Sequence, residues 1–170
     1  NPSMPNSPSQ VRPNPMRLPM HPATWRWLVL WLLSFGAMGL AWGDNSRHQS
    51  DVPTGLSRVT AVAGGAYHSL ALKSDGTVVA WGDNGYQQSD VPAGLSNVTA
   101  IYASPYHNLA LKSDGTVAAW GINTLGQTDV PAGLTSVTAV AAGIDHSLAL
   151  KSDGTVVAWG NNSRGQLDVP

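Results

Sequence analysis

The stretch Lys73–Gly82, KSDGTVVAWG, returns unchanged at Lys151–Gly160, and Lys112–Gly121 differs only in reading KSDGTVAAWG. Such repetition is either a chemical site used three times or a building block used three times. The surrounding register favours the block. Trp42, Trp81, Trp120 and Trp159 fall 39 residues apart, and His68, His107 and His146 keep the same interval. So do Asp51, Asp90, Asp129 and Asp168, each opening a DVP. A fixed period of this length marks stacked units, none of which buries its apolar face alone.

Within one period three short runs read as strands: Val59–Ala63 (VTAVA), His68–Lys73 (HSLALK) and Thr77–Gly82 (TVVAWG). Each is bounded by Gly, Asp or Ser, the usual punctuation of β structure. Ser74-Asp75-Gly76 joins the last two as a hairpin, since glycine takes positive φ at little cost. Gly115 and Gly154 hold the same place in the later repeats. Apolar residues fall on both faces of these strands, as in Leu70 and Ala71 or Val78 and Val79. A sheet apolar on both faces has to be covered on both. The intervening DNGYQQSDVPAGLS contains Pro92 and two glycines and reads as a crossing without strand. Three-stranded antiparallel sheets stacked radially make an all-β β-propeller, and a β-helix is the weaker alternative because its coils lack the hairpin.

These residues resemble the RCC1-type repeat, whose marks are an AxGxxHxxAL run and a WGxNxxGQ run. Here they are carried by Gly143, His146, Ala149 and Leu150, then by Trp159, Gly160, Asn162, Gly165 and Gln166. The short period and the DVPAGL spacers are similar to secreted bacterial members, among them the β-lactamase-inhibitor propeller. The resemblance implies three-stranded blades and an orphan first strand, Ala41-Trp42-Gly43, that completes the last blade of a ring. The expected organisation is an orphan strand over 42–54 and repeats over about 55–93, 94–132 and 133–170. The family's rings have seven blades and this chain supplies about three. The expectation is therefore a fragment of a longer ring or, if the chain is complete, closure by homo-oligomerisation, since open sheet edges are a liability.

Residues 1–26 are rich in Pro, Asn, Ser and Met without periodicity, and read as disordered with a basic end at Arg12, Arg17 and Arg26. From Trp27 through Gly43 the chain is uncharged and largely apolar. With small residues at Gly39 and Ala41, 27–41 reads as the core of a signal peptide cleaved after Ala41. A retained membrane anchor is the alternative, although such a helix spans ~25 Å against a hydrocarbon core of ~30 Å. Both readings place the repeats outside the cytoplasm, secreted or in the cell envelope. The first residue is Asn, and Met16 or Met20 would give a conventional signal-peptide start.

Composition excludes several functions. A net charge of −1, with three lysines all at one repeat position, offers no basic surface for nucleic acid. Absence of cysteine removes disulfides and thiolate metal sites. No cofactor is expected. His68, His107 and His146 recur once per unit, so each is expected to tie a strand end to a neighbouring backbone carbonyl rather than ligate a metal. Trp42, Trp81, Trp120 and Trp159 are expected to pack between blades. SDGTVVAW lacks the spacing of a sialidase Asp-box, and with no Glu in the chain the acid–base inventory is thin. His48, outside the histidine register, is the one candidate base for a polysaccharide-active lyase or glycosidase, the competing reading to a binding module. A purely structural envelope repeat is the third.

Where the repeats disagree is more informative. The loops after the first strand read GGAY, ASPY and AGID, and the residues after Trp-Gly also vary. Both sets of loops belong at one end of the sheets, with the invariant KSDG turns at the other. Variable loops gathered on one face are a common binding surface in repeat proteins. Tyr67, Tyr86, Tyr106, Leu125, Asp145 and Arg164 are the expected contacts with a protein partner, by a non-catalytic mechanism.

Overall fold

A computed structural model describes residues 44–170, and the readings placed on residues 1–43, Trp42 among them, lie outside the described residues. The described residues form nine strands and no helix. They are β1 Val59–Gly64, β2 His68–Lys73, β3 Val78–Gly82, β4 Val98–Ala103, β5 His107–Lys112, β6 Val117–Gly121, β7 Val137–Ala142, β8 His146–Lys151 and β9 Val156–Gly160. They pair antiparallel as three sheets, β1-β2-β3, β4-β5-β6 and β7-β8-β9. These are three consecutive blades of a propeller, as the period predicts.

The hairpin is built from its own side chains. Lys73 N donates to Thr77 O (2.9 Å), and Gly76, at φ 76°, turns the chain where a Cβ would be strained. Asp75 closes the loop by accepting from Thr77 N (3.0 Å) and Lys73 Nζ (3.1 Å). Thr77 is therefore part of the turn, and the third strand begins at Val78, one residue later than the sequence predicts. At the first strand a bulge between Val59 and Ala61 shifts the register, while Thr60 Oγ1 donates to Leu72 O (3.3 Å).

That register sorts the side chains cleanly. Leu72 pairs with Ala61 and Val78, and Leu70 with Ala63 and Ala80, which makes one apolar face of the first blade. On the other face Ala71 pairs with Val62 and Val79. The Leu70–Leu72–Val78 face meets Val98, Ala110 and Trp120 of the second blade. The equivalent face of the second blade, Leu109, Leu111 and Val117, meets Val137, Ala149 and Trp159 of the third. Both-faced apolarity is thus what lets one short sheet cover the next. The crossing segments carry no strand, but Val91 and Leu95, then Val130 and Leu134, pack on the same two cores.

Candidate functional site

His68 pairs with Gly82, so the β1–β2 loop and the exit of β3 share one end of the blade. Asp83 N donates to Tyr67 O (2.8 Å), Ile122 N to Tyr106 O (3.0 Å) and Asn161 N to Asp145 O (2.9 Å), which ties the two loops together in every blade. Gly82 makes this possible. At φ 104° it lies so close that a Cβ would stand 2.6 Å from Tyr67 O. The KSDG turns occupy the opposite end, as expected from the topology.

All six expected contact residues fall on the loop end. Tyr67, Tyr106 and Asp145 occupy the loops after β1, β4 and β7. Tyr86, Leu125 and Arg164 occupy those after β3, β6 and β9. The fold brings Tyr86 and Tyr106 together across a blade boundary, ring centroids 5.5 Å apart and planes at 77°, an edge-to-face pair. Tyr86 remains 48% exposed, and Tyr67 and Leu125 are 39% and 46% exposed. By the repeat register Leu125 faces the Asp145 loop as Tyr86 faces the Tyr106 loop. Ile144, beside Asp145 and 59% exposed, belongs to the same surface. Its sequence signal was an apolar residue in a loop that varies between repeats.

The recurrent glutamine (Gln88, Gln127, Gln166) and residues of the WGxN run hold these loops. Gln88 is fully buried; its Oε1 accepts from Tyr86 N (2.7 Å) and its Nε2 donates to Asp83 Oδ2 (2.7 Å). Gln127 accepts from Leu125 N (2.8 Å) and Gln166 from Arg164 N (2.8 Å). Ile122 stands where the first blade has Asp83, and Gln127 Nε2 is buried without a partner. Asn84 Nδ2 donates to Asp90 Oδ1 (2.8 Å), which gives the Asp of DVP its role, repeated by Asn123 with Asp129 and Asn162 with Asp168. Tyr86, Leu125 and Arg164 are thus each presented by a backbone amide anchored on the recurrent glutamine.

His68 and His107 differ from the expectation in their bonding partner. They reach a side chain of the next blade instead of a backbone carbonyl. His68 Nε2 donates to Asn108 Oδ1 (2.6 Å), whose Nδ2 donates to Gln88 O (2.8 Å). His107 Nε2 donates to Ser147 Oγ (2.9 Å), which donates to Gln127 O (2.8 Å). The backbone carbonyl is therefore one step further along the chain of bonds. Those same carbonyls accept the indole N–H of Trp120 (3.1 Å) and Trp159 (3.0 Å), while Trp81 donates to Gln49 O (2.9 Å). Burial lowers the His68 pKa, and lowers that of His107 to about 4, so both are neutral donors at pH 7.

Among the described residues no group of three or more His or Asp could hold a metal ion. His48 Nδ1 lies 2.8 Å from Asp51 Oδ2, but the two side chains are 82% and 57% exposed. Bonds from His48 and Asn45 hold Asp51 below the usual carboxylate range. At that exposure the pair lacks the desolvation that tunes an acid–base dyad.

Comparison with solved structures returns propellers. Yeast RCC1 (Prp20), in its complex with Kap60, is 23% identical with a TM-score of 0.60, covering 71% of this chain and 39% of its own. Prp20p from Saccharomyces cerevisiae is 21% identical, also at 0.60, covering 70% and 40%. The CRINKLY WD40 ectodomain of the Arabidopsis thaliana receptor kinase ACR4 is 24% identical at 0.58, covering 70% and 42%. The described fold thus spans about two fifths of each of these chains. No curated protein sequence matches the chain. In sequence, the model of the Regulator of chromosome condensation (RCC1) repeat matches residues 59–88, 98–127 and 137–166, each match running from the first strand of a blade to the Gln that holds the loop after its third strand. With more than half its length in those three matches, the chain belongs to the RCC1-repeat family.

Proposed function

We propose that the chain is an exported, non-catalytic module that binds another protein through the loop end of its blades. The Tyr86–Tyr106 pair carries this reading: two large rings, oriented against each other across a blade boundary, with Tyr86 half exposed. Rigid aromatic side chains give much contact area for little lost entropy, which is why they dominate binding hot spots. Tyr67, Leu125 and Ile144 extend the apolar surface, and Asp145 and Arg164 supply charges for a polar rim. Protein binding is also what the relatives of like fold do: yeast RCC1 is seen bound to Kap60, and Prp20p was studied for binding to Gsp1p and histones. Non-catalytic action fits the use of the buried histidines as inter-blade donors. Export rests on the basic flank and apolar run of 27–41, and the similarity to secreted bacterial members belongs with it.

The test is affinity capture of partners from the producing cell's envelope and medium, repeated with Tyr86→Ala and Tyr106→Ala. A captured protein should lose at least about tenfold in affinity with either variant while the β-sheet circular dichroism is unchanged. Unchanged affinity in both would overturn the site. For export, N-terminal sequencing of the mature product should begin at Trp42, and a cytoplasmic product still beginning at Asn1 would overturn it.

A further inference from the structure

The two ends of the blades differ in how they handle charge. At the hairpin end the chain neutralises itself. Lys73, Lys112 and Lys151 each hold the carboxylate of the turn they open, Asp75 at 3.1 Å and Asp114 and Asp153 at 3.2 Å. Every other aspartate belongs, by the repeat register, to the loop end.

There the carboxylates are left without counter-ions. Asp90 and Asp129 are exposed, and each accepts a bond from an uncharged amide, Asn84 Nδ2 (2.8 Å) and Asn123 Nδ2 (2.6 Å). Among the described residues no Lys or Arg pairs with Asp90, Asp129 or Asp145. The loop end has two arginines to set against them. Arg47 Nη1 is 3.5 Å from Asp83 Oδ1, and Arg164 lies on the third blade, after β9.

These acidic groups surround the apolar centre of the surface. Asp83 and Asp90 stand either side of Tyr86 in one loop, Asp129 lies four residues beyond Leu125, and Asp145 adjoins Ile144. Covering unpaired carboxylates with an apolar or acidic partner costs free energy, whereas a cation offsets their lost hydration. Tyrosine rings also have negative faces that attract cations, and a guanidinium stacks on them best. Both features select the same complement.

We propose that the partner docks with a basic surface, setting an arginine against the Tyr86–Tyr106 pair and further cations opposite Asp90, Asp129 and Asp145. This rests on the loop-end binding reading and adds to it the charge of the protein that binds. The same field steers such a partner toward the loop end before contact, an effect that salt screens.

The probe is an acetylated, amidated tetra-arginine peptide titrated into the isotope-labelled full chain. Amide shifts should cluster on the loops holding Tyr86, Tyr106 and Leu125, and a tetra-glutamate peptide should give none. Shifts of equal size at the KSDG turns, or no shifts up to about 10 mM arginine peptide, overturn the proposal. Asp90→Asn with Asp129→Asn should weaken the peptide about threefold to tenfold, because asparagine keeps the acceptor for Asn84 and Asn123 but loses the charge. Unchanged affinity overturns it. A captured partner separates this proposal from the site itself. Its association rate should fall about tenfold between about 50 mM and about 300 mM salt. A partner weakened by Tyr86→Ala yet indifferent to salt leaves the site standing and removes the basic partner. One that keeps its affinity in both tyrosine variants removes both.

Discussion

At the residue scale, the loops after β3 and β6 are each held by a buried glutamine whose satisfaction depends on one variable neighbour. Gln88 has all it needs from Tyr86 N and Asp83, whereas Gln127 faces Ile122 and keeps a buried, unpartnered Nε2. Replacing Ile122 with Asp gives that amide the acceptor found in the first blade. The expected gain is about 0.5–1.5 kcal/mol, read as a rise in thermal midpoint. A lower midpoint would mean that Ile122 contributes more by packing than the lost bond costs. His107 gives a pH dependence with a fixed sign. Its folded pKa of about 4 lies below the ordinary value of 6.5, chiefly through burial, so the unfolded chain binds the proton more readily. Stability is complete above pH 6.5 and is lost as pH falls toward 4, with His68 acting in the same direction. Asp75, Asp114 and Asp153, each held at about 2 chiefly by the threonine two residues on, add a second loss below pH 3.8. Urea melts across pH 3 to 8 check this, and His107→Gln should flatten the upper part of the curve.

At the scale of the element, the glycine after each tryptophan decides whether the two variable loops can meet. In Gly82→Ala a Cβ at φ 104° would stand 2.6 Å from Tyr67 O and 2.8 Å from His68 Cα, both backbone atoms that cannot step aside. The cost should exceed about 2 kcal/mol. Gly85→Ala, in the same loop, meets only the Asp83 carboxylate at 3.5 Å and should stay within about 0.5 kcal/mol. Equal costs in a denaturant melt would count against the close approach as the reason for that glycine. The hairpin at the other end was legible in sequence because Asp75, Gly76 and Thr77 act within four residues of one another. The one-residue error at the start of β3 has the same origin: Thr77 has strand propensity, but Asp75 captures its amide.

At the scale of the molecule, the energetics of equivalent leucines report how many blades surround them. Leu109 is fully buried between blades, and Leu109→Ala should cost about 2–5 kcal/mol. Leu148, its counterpart on the third blade, is only half-buried. Leu148→Ala should cost well under half as much in the same denaturant melt.

The sequence by itself determined the period, the three strands of a blade, the hairpin turn and the end at which the variable residues gather. Each of these follows from interactions within one repeat or from alternation along a strand, and both are written locally. Tertiary structure decided the rest. That Tyr86 pairs with Tyr106 and not with Tyr67 depends on which loops face each other across a blade boundary. That the histidines bond to Asn108 and Ser147 depends on side chains 40 residues away, so a reading of one repeat could place the ring but not name its partner. Leu72 and Leu150 are the same residue in the same local sequence, yet Leu72 is 4% exposed because Val98 and Trp120 of the neighbouring blade cover it, a contact no single repeat encodes.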